Sequence, residues 1–317
     1  MRLQVKQKQS VLTKKKSFWR RCLDQKALIF MSVPLVLLKI LFAYVPLVGW
    51  SMAFQNYKPA KGLFDQQWVG LDKFKFLFSD SVFLHDIRNT LVMSVINLAL
   101  GFITAILLAI LINEIKNVFF KRSIQTISYM PHFLSWIIVV GIVQTALSTD
   151  NGIINDLLMR IGVIKSPINF LGNPKYFWGI VGLTNVWKEV GWNTIIYLAA
   201  ISAIDPALYE AASVDGAGRF NKILHVTLPA LKSTFVILLI MNIGHILDAG
   251  FEVQYLLGSG PVQDVSETID IFVLKYGLQM NDYSLGTAAG IFKSIISIIL
   301  VFSANWISGK LGEEKLI

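Results

Sequence analysis

The sequence has a single cysteine and few charged residues. Cys22 is the single cysteine among the 317 residues, which excludes an internal disulfide and a thiolate metal cluster. Charged residues make up 15% of the chain, against roughly a quarter in an ordinary soluble domain. Apolar residues make up 54%, and the mean hydropathy is +0.59. This balance excludes a disordered chain and a disulfide-rich secreted scaffold, and it argues against most soluble enzymes.

Motifs for nucleotide and metal chemistry are also missing. Ser308-Gly309-Lys310 lacks the upstream glycine and the following Ser or Thr of a phosphate-binding loop, so ATP hydrolysis by this chain alone is not expected. Gly216-Ala217-Gly218 is too short for a dinucleotide-binding loop. The four histidines show neither metal-ligand spacing nor cysteine partners. We therefore expect no catalytic residue, no metal site and no cofactor bound by this chain.

The apolar residues lie in blocks of about twenty, the length at which a helix crosses about 30 Å of hydrocarbon. Isolated strands cannot satisfy their backbone in lipid, so each block is predicted to be a helix. Six spans are predicted, over residues 27–54, 89–113, 123–147, 178–203, 231–251 and 285–308. The predicted fold class is an all-α polytopic membrane protein, with a basic tail (1–26) before the transmembrane domain (27–317). Pro34 and Pro46 are expected to kink the first span.

The positive charge is distributed unevenly along the chain. The net charge is +9, and nine basic residues lie within residues 1–26. The segments predicted to be inside hold 17 Lys and Arg, and those predicted to be outside hold 9. This bias predicts that both termini are cytoplasmic. Because the excess of Lys and Arg lies in the segments predicted to be inside, membrane orientation explains the positive net charge. We therefore expect a lipid bilayer and no nucleic acid as partner.

Three segments outside the spans carry amphipathic patterns. Phe18, Trp19, Cys22 and Leu23 predict an interfacial helix in the basic tail. The segment 55–88 is polar and aromatic and is expected to pack along the membrane surface. In the segment 252–284, apolar residues recur at helical spacing, which predicts a surface helix; they are Ile269, Phe272, Val273 and Tyr276. We interpret this helix as a lid over the bundle rather than a docking site.

The segment 204–232, between the fourth and fifth predicted spans, carries clear helix-boundary signals. Asp205 is a good N-cap, and Pro206 fits the first helical position. Asp215 and Gly216 have turn chemistry and are expected to end this first short helix.

A second short helix is predicted at about 218–226, ending at Pro229, where the fifth span starts. Two short helices at an angle make a compact projection from the bundle. Ala211 and Ala212 would allow a partner to approach closely, and Glu210 provides one directional charge. Such a projection can transmit a rigid-body movement from a soluble partner. An ordinary helical hairpin loop is the alternative.

Polar residues cluster on one face of two predicted spans. On the fourth span they fall within about 140° of arc at 100° per residue; they are Asn185, Lys188, Glu189, Trp192 and Asn193. On the fifth span the arc is about 120°, with Asn242, His245, Asp248 and Glu252. Intramembrane polar residues usually face a cavity or each other, so the two faces could line one cavity. The alternative is structural pairing, for example of Lys188 with Asp248.

The spacing of Glu210-Ala211-Ala212, Gly216, Ile223 and Leu228-Pro229 resembles the EAA signature of ABC-importer permeases. Further segments along nearly the whole chain resemble the carbohydrate-uptake group of that family, in its LplB-like oligosaccharide and polysaccharide branch. They include Trp68-Val69-Gly70-Leu71-Asp72, Arg88-Asn89-Thr90, Pro131-His132-Phe133-Leu134-Ser135-Trp136, Gly191-Trp192, Tyr197-Leu198-Ala199-Ala200 and Asp205-Pro206. Lys39 departs from the pattern, because a neutral residue is expected there.

The resemblance implies a type I ABC importer permease fold in a bacterial cell membrane. The implied partners are a second homologous permease subunit, two ATP-binding subunits that hold ATP and Mg²⁺, an extracellular solute-binding lipoprotein and an oligosaccharide. The implied ATPase-coupling residues are Glu210, Ala211, Ala212, Asp215, Gly216 and Pro229. An oligosaccharide moving through an alternating-access cavity would contact Trp187 and the polar faces of two spans. The candidate residues on these faces are Asn185, Lys188, Glu189, Trp192 and Asn193 on the fourth span, and Asn242, His245 and Asp248 on the fifth.

Three other functions remain open from the sequence. The chain could be an ABC permease for a solute other than a sugar. It could be an ion-driven secondary transporter, with Lys188, Glu189 and Asp248 as a proton relay, although the six spans show no obvious internal repeat. It could also be a membrane scaffold or sensor without transport activity.

Overall fold

The computed structural model describes residues 24–258 and 260–310. The predicted interfacial helix of the basic tail lies outside the described residues. The described chain divides into two compact units, one up to Ser51 and one from Met52 onward. Of the described helices, four are long and apolar enough to cross a membrane, and two bent helix pairs raise the number to as many as six.

The first span is a helix whose hydrogen-bonding pattern changes twice. Helix α1 (Lys26–Lys39) continues as a π-helical turn (Ile40–Tyr44) and a 3-10 helix (Val45–Phe54). The second change falls immediately before Pro46, which has no backbone N–H to donate. Lys39 lies at the point where α1 passes into the π-helical turn, in the middle of the 29-residue helix.

The segment after the first span begins with a short hairpin. Strands β1 (Gln55–Asn56) and β2 (Gln67–Trp68) pair antiparallel, and helix α2 (Asp72–Ser79) follows. The Gln66 side chain closes the hairpin loop through four hydrogen bonds of 2.9–3.0 Å to backbone groups of residues 58–62. This local network makes the loop a fixed part of the fold.

Three of the predicted spans are long unbroken helices. Helix α3 (Ser81–Glu114) begins eight residues before the predicted boundary, because the Asp80 carboxylate caps it by accepting from the backbone N–H of Val82. Helix α7 (Pro174–Ser202) and the last helix, α14 (Tyr283–Lys310), match the predicted fourth and sixth spans to within a few residues.

The third span is broken, and the prediction of one continuous helix over 123–147 is wrong. Helix α4 (Val118–Tyr129) passes through a 3-10 turn (Met130–Phe133) and meets helix α5 (Trp136–Leu147) at 105°. Pro131 supplies no N–H to an α-helix, and the Ser135 hydroxyl accepts from the backbone N–H of Ile138 to start α5. Helix α6 (Ile153–Arg160) lies in the connection to α7.

The region between α7 and α14 holds the remaining described helices. The short helices α8 (Pro206–Val214) and α9 (Arg219–Lys222) come first. Helix α9 runs through a π-helical turn (Ile223–Thr227) into α10 (Leu228–Ile243), so that Arg219–Ile243 is one helix of 25 residues. After it come α11 (Phe251–Leu257), α12 (Gln263–Ser266) and α13 (Ile269–Phe272), then a π-helical segment (Val273–Gln279).

Two predictions about the fifth span are wrong. The second short helix does not end at Pro229, because the π-helical turn before it shifts the backbone hydrogen bonds and lets the helix continue. The span ends at Ile243 rather than 251. Beyond it, Ala249 (φ 43°) and Gly250 (φ 81°) adopt left-handed conformations that no α-helix contains.

The apolar face of the segment 269–279 packs inward. Ile269 and Phe272 are fully buried, and Tyr276 stacks on Phe272 with ring centroids 4.3 Å apart. Phe272 also contacts Phe83 of α3 at 5.0 Å. The amphipathic pattern therefore serves core packing against α3, and the interpretation of this segment as a lid stays a prediction.

Candidate functional site

Most of the predicted coupling residues lie in the segment 205–227, which contains α8 and α9 and which we call the coupling hairpin after that prediction. Its helix boundaries are set by local signals. The Asp205 carboxylate accepts from the backbone N–H of Ala207 at 2.9 Å and caps α8. Helix α7 bends by 68° into α8 across the short connection before it. The N-cap predicted from the sequence is confirmed.

A left-handed glycine ends α8. Gly216 has φ +78°, and its N–H donates to the Ser213 carbonyl at 3.1 Å. The Ala217 N–H donates to the Ala212 carbonyl at 2.8 Å, which completes the C-terminal cap. The predicted break at Asp215 and Gly216 is therefore confirmed, and it depends on a backbone conformation that favours glycine.

The tip of the coupling hairpin exposes apolar side chains together with the carboxylates of Glu210 and Asp215. Val214 is 88% and Phe220 81% exposed, with Leu208 and Leu224 more than half exposed. Most of the predicted coupling residues are exposed and Ala212 is half-buried; the exposed ones are Glu210, Ala211, Asp215, Gly216 and Pro229. An apolar patch with small residues and a charge at its edge is a surface to which a protein partner can bind.

A polar cavity of about 200 Å³ lies between α3, α7 and α10. Of the residues on the two predicted polar faces, one from each lines this cavity, Asn193 of α7 and Asn242 of α10. Asn97 of α3 completes the wall and accepts a hydrogen bond from the Asn185 amide at 3.3 Å. Asn97 was not predicted from the sequence; it is an asparagine in the middle of a predicted span, and an intramembrane amide of this kind was the available signal.

The Lys188 and Glu189 side chains lie on the other side of α7, against the break between α4 and α5. Lys188 is 5% exposed, and its ammonium donates to the His132 carbonyl at 2.7 Å and pairs with Glu189 at 3.1 Å. Glu189 also contacts the His132 ring at 2.7 Å. That ring stacks on Trp192 with centroids 4.3 Å apart. We call these four residues the elbow clamp.

The elbow clamp divides the predicted polar face into two groups. Asn185 and Asn193 face α3 and α10. Lys188 and Glu189 instead bond to each other and to His132, at the break between α4 and α5, which we call the elbow. From the sequence, His132 was named only within a segment that resembles the permease family, because no local pattern indicates that it would contact α7. Trp187 belongs to neither group; it lines a shallow apolar cavity of about 390 Å³ beside α5.

Lys293 of α14, not Lys188, is the partner of Asp248, so the Lys188–Asp248 alternative is wrong. The Lys293 ammonium pairs with Asp248 at 2.7 Å and with Asp270 at 2.6 Å. The His245 ring contacts Asp248 at 3.0 Å, and the Asn242 side chain instead donates to the Leu238 carbonyl at 2.8 Å. Burial raises the pKa of Asp270 above its ordinary value, although its hydrogen bond to Lys293 lowers it.

The fold and the site define a multi-pass helical membrane protein with a hairpin that exposes an apolar tip. Residues 98–312 match the family described as the binding-protein-dependent transport system inner membrane component. The chain belongs to this family. It is therefore a transport-system permease subunit and not an enzyme.

Two proteins of Bacillus subtilis (strain 168) resemble the chain over most of its length. The polygalacturonan/rhamnogalacturonan transport system permease protein YteP is 45% identical, over 96% of this chain and 94% of its own. Protein LplB is 40% identical, over 94% and 93%. The recognition of an LplB-like ABC permease from the sequence is confirmed.

A solved structure shares the fold. It is the bacterial alginate ABC transporter in complex with an alginate pentasaccharide-bound periplasmic protein; one of its chains matches with a TM-score of 0.87 and 37% identity, covering 95% of this chain and all of that one. The predicted type I ABC importer permease fold is confirmed.

Proposed function

We propose that this chain is the membrane permease subunit of an ATP-driven, binding-protein-dependent importer of oligosaccharides. The observation that carries the proposal is the full-length likeness to sugar-importer permeases, in sequence and in fold. The proposed partners are a second homologous permease, two ATP-binding subunits and an extracellular solute-binding lipoprotein. ATP and Mg²⁺ would be bound by the ATP-binding subunits.

The proposed mechanism is alternating access. ATP brings the two ATP-binding subunits together, and the coupling hairpin, held on the cytoplasmic side, carries their movement into α7 and α10. The exposed apolar tip and Glu210 support this role, since they form a surface with no covering element in the described chain. The polar cavity would then open toward the loaded binding protein, and hydrolysis would reset it.

The polar cavity supports a role in sugar passage. Three asparagine side chains on its wall supply both donors and acceptors for hydroxyl groups; they are Asn97, Asn193 and Asn242. Trp192, the aromatic residue of the elbow clamp, is 44% exposed and could stack on a sugar ring. Lys188 and Glu189 are less suited to direct contact, because each is already paired within the elbow clamp.

Variants of the coupling hairpin test the proposal. Glu210→Lys reverses the charge at the contact surface, and Gly216→Asp places a side chain at φ +78°. Each should lower oligosaccharide uptake more than about tenfold while membrane insertion is retained, because a like-charge contact or a displaced turn weakens the interface. Gly218→Ala is the matched control, since Gly218 has φ −70° and open space around its Cα. Normal uptake in both variants would contradict the coupling role.

Co-purification tests the assembly. A C-terminally tagged chain extracted in mild detergent should bring with it a second permease, an ATPase and a lipidated binding protein. The recovered binding protein is then titrated with oligogalacturonides, alginate oligosaccharides and malto-oligosaccharides, which cover acidic and neutral sugars. A chain that runs alone in several detergents, with uptake that depends on an ion gradient and not on ATP, would favour the secondary-transporter alternative.

A further inference from the structure

Within the coupling hairpin, one hydrogen bond joins the middle of α8 directly to the base of the fifth span. The hydroxyls of Tyr209 and Thr227 lie 2.9 Å apart, although the two residues are 18 positions apart in sequence. Thr227 is 3% exposed and is the last residue of the π-helical turn, one position before α10 begins. We call this hydrogen bond the brace.

Without the brace, α8 is connected to α10 by a flexible route. The chain leaves α8 through Gly216 and Gly218, two residues with few conformational restrictions, before α9 starts. A second side-chain contact, from the Lys222 ammonium to the Ser213 hydroxyl at 2.7 Å, lies on the exposed side of the hairpin. An exposed contact of this kind contributes little to rigidity.

Tyr209 also immediately precedes Glu210, an exposed carboxylate of the proposed contact surface. The Ser213 hydroxyl donates to the Tyr209 carbonyl at 2.6 Å, so the backbone at this point is fixed from two sides. A displacement of α8 at Glu210 therefore reaches Thr227 through one short hydrogen bond and not through the glycine turn. The π-helical turn that presents Thr227 is a type of irregularity that is frequent at functional sites.

We infer that Tyr209 and Thr227 are positioning residues that make the coupling hairpin move as one body with α10, so that transport is tied to ATP hydrolysis by their hydrogen bond. This inference rests on the proposed function, because it requires that α8 receives the movement of an ATPase. Coupling would then depend on a hydrogen bond inside the permease, away from the surface that the ATPase would contact.

The test is a double-mutant cycle with Tyr209→Phe and Thr227→Val, which remove the two hydroxyls and keep the side-chain shapes. The importer is purified as its full complex and reconstituted in liposomes. The measured quantity is the number of trigalacturonate molecules transported per ATP hydrolysed; if the parent does not take up trigalacturonate, the oligosaccharide bound by the recovered binding protein is used. Tyr283→Phe and Thr145→Val are matched controls, because both hydroxyls make exposed local hydrogen bonds outside the coupling hairpin.

Each single variant should lower the transport-to-hydrolysis ratio about two- to tenfold, the range expected for one net hydrogen bond. The double variant should be no worse than either single one, because both remove the same bond. ATP hydrolysis should continue in all three, and the control variants should keep the parent ratio.

Other outcomes overturn the inference. If both rates fall together while the ratio is unchanged, the hydroxyls serve folding and not coupling. If the two losses add in the double variant, the residues act separately and there is no brace. Glu210→Lys is measured in parallel: if it also keeps the parent ratio, the proposed coupling role itself fails, whereas an uncoupled Glu210→Lys with normal Tyr209→Phe refutes the brace alone.

Discussion

Gly191 lies where α7 comes closest to α4, and a Cβ atom there would be 2.0 Å from the Ser128 carbonyl oxygen. Small residues at helix contacts let backbones approach closely, and this contact sets the position of the elbow clamp. Gly182, on the same helix, is less restrictive, since its added Cβ would meet only side-chain carbons of Ile96 and Leu100.

Gly191→Ala should therefore destabilise the protein strongly. The added methyl group meets backbone atoms that cannot rotate away, so α7 and α4 must separate, at a cost of about 1–3 kcal/mol or more. The measurement is the thermal unfolding midpoint in detergent. Gly179→Ala, in the same helix with open space around it, should be neutral or slightly stabilising. Equal midpoints for the two variants would contradict the close approach.

At the scale of elements, the two irregular spans depend on side chains from other helices. Lys188 of α7 donates to the His132 carbonyl at the end of the 3-10 turn, where no intrahelical partner is available. In the turn after the fifth span, the Ala249 carbonyl accepts from the side-chain amides of Gln254 and Asn97. Each break is thus stabilised by polar groups that a straight helix would not need.

Lys188→Met should loosen the elbow between α4 and α5. It removes a buried donor and leaves the His132 carbonyl and the Glu189 carboxylate with fewer partners, which costs about 1–3 kcal/mol. The unfolding midpoint should fall, and exchange of the amides of residues 130–136 with deuterium should become faster. Lys175→Met, on the exposed first turn of α7, is the control. Unchanged exchange in Lys188→Met would show that the clamp does not hold the elbow.

Lys293→Met should make stability more dependent on pH. Burial already raises the pKa of Asp270 above its ordinary value, and loss of the Lys293 hydrogen bond removes the main influence that lowers it. A carboxyl group with a raised folded-state pKa stabilises the fold while protonated, and this contribution is lost as pH rises through that pKa. The unfolding midpoint of Lys293→Met should therefore drop more between pH 5 and pH 8 than that of the parent. Adding Asp270→Asn should remove the extra drop; if the drop persists, another group causes it.

At the scale of the whole molecule, the charge bias predicts how the bundle is inserted. We expect the loop containing Lys116 to be cytoplasmic and the loop containing Lys165 to be outside. In a Cys22→Ser background, Lys165→Cys should react with a membrane-impermeant maleimide in intact cells. Lys116→Cys should react only after the membrane is permeabilised. The reverse pattern would overturn the orientation and the cytoplasmic position of the coupling hairpin.

Much of the architecture could be predicted because it depends on local properties of the chain. The length of each apolar block indicated the spans, since lipid requires about twenty apolar residues per helix. The caps at Asp205 and Gly216 could be predicted because they depend on side-chain and backbone chemistry within three or four residues. The family could be recognised for the same reason, as its signature lies in one continuous segment.

Only the tertiary structure decided where the spans break and which polar groups meet. A proline at 131 permits a bend, but its 105° angle is fixed by contacts with α7 that are more than fifty residues away in sequence. The sequence suggested Asp248 as a partner for Lys188, but in the structure Lys188 pairs with Glu189 and Asp248 pairs with Lys293. Pairing of buried charges depends on distances between helices, and these arise from packing that no local pattern contains.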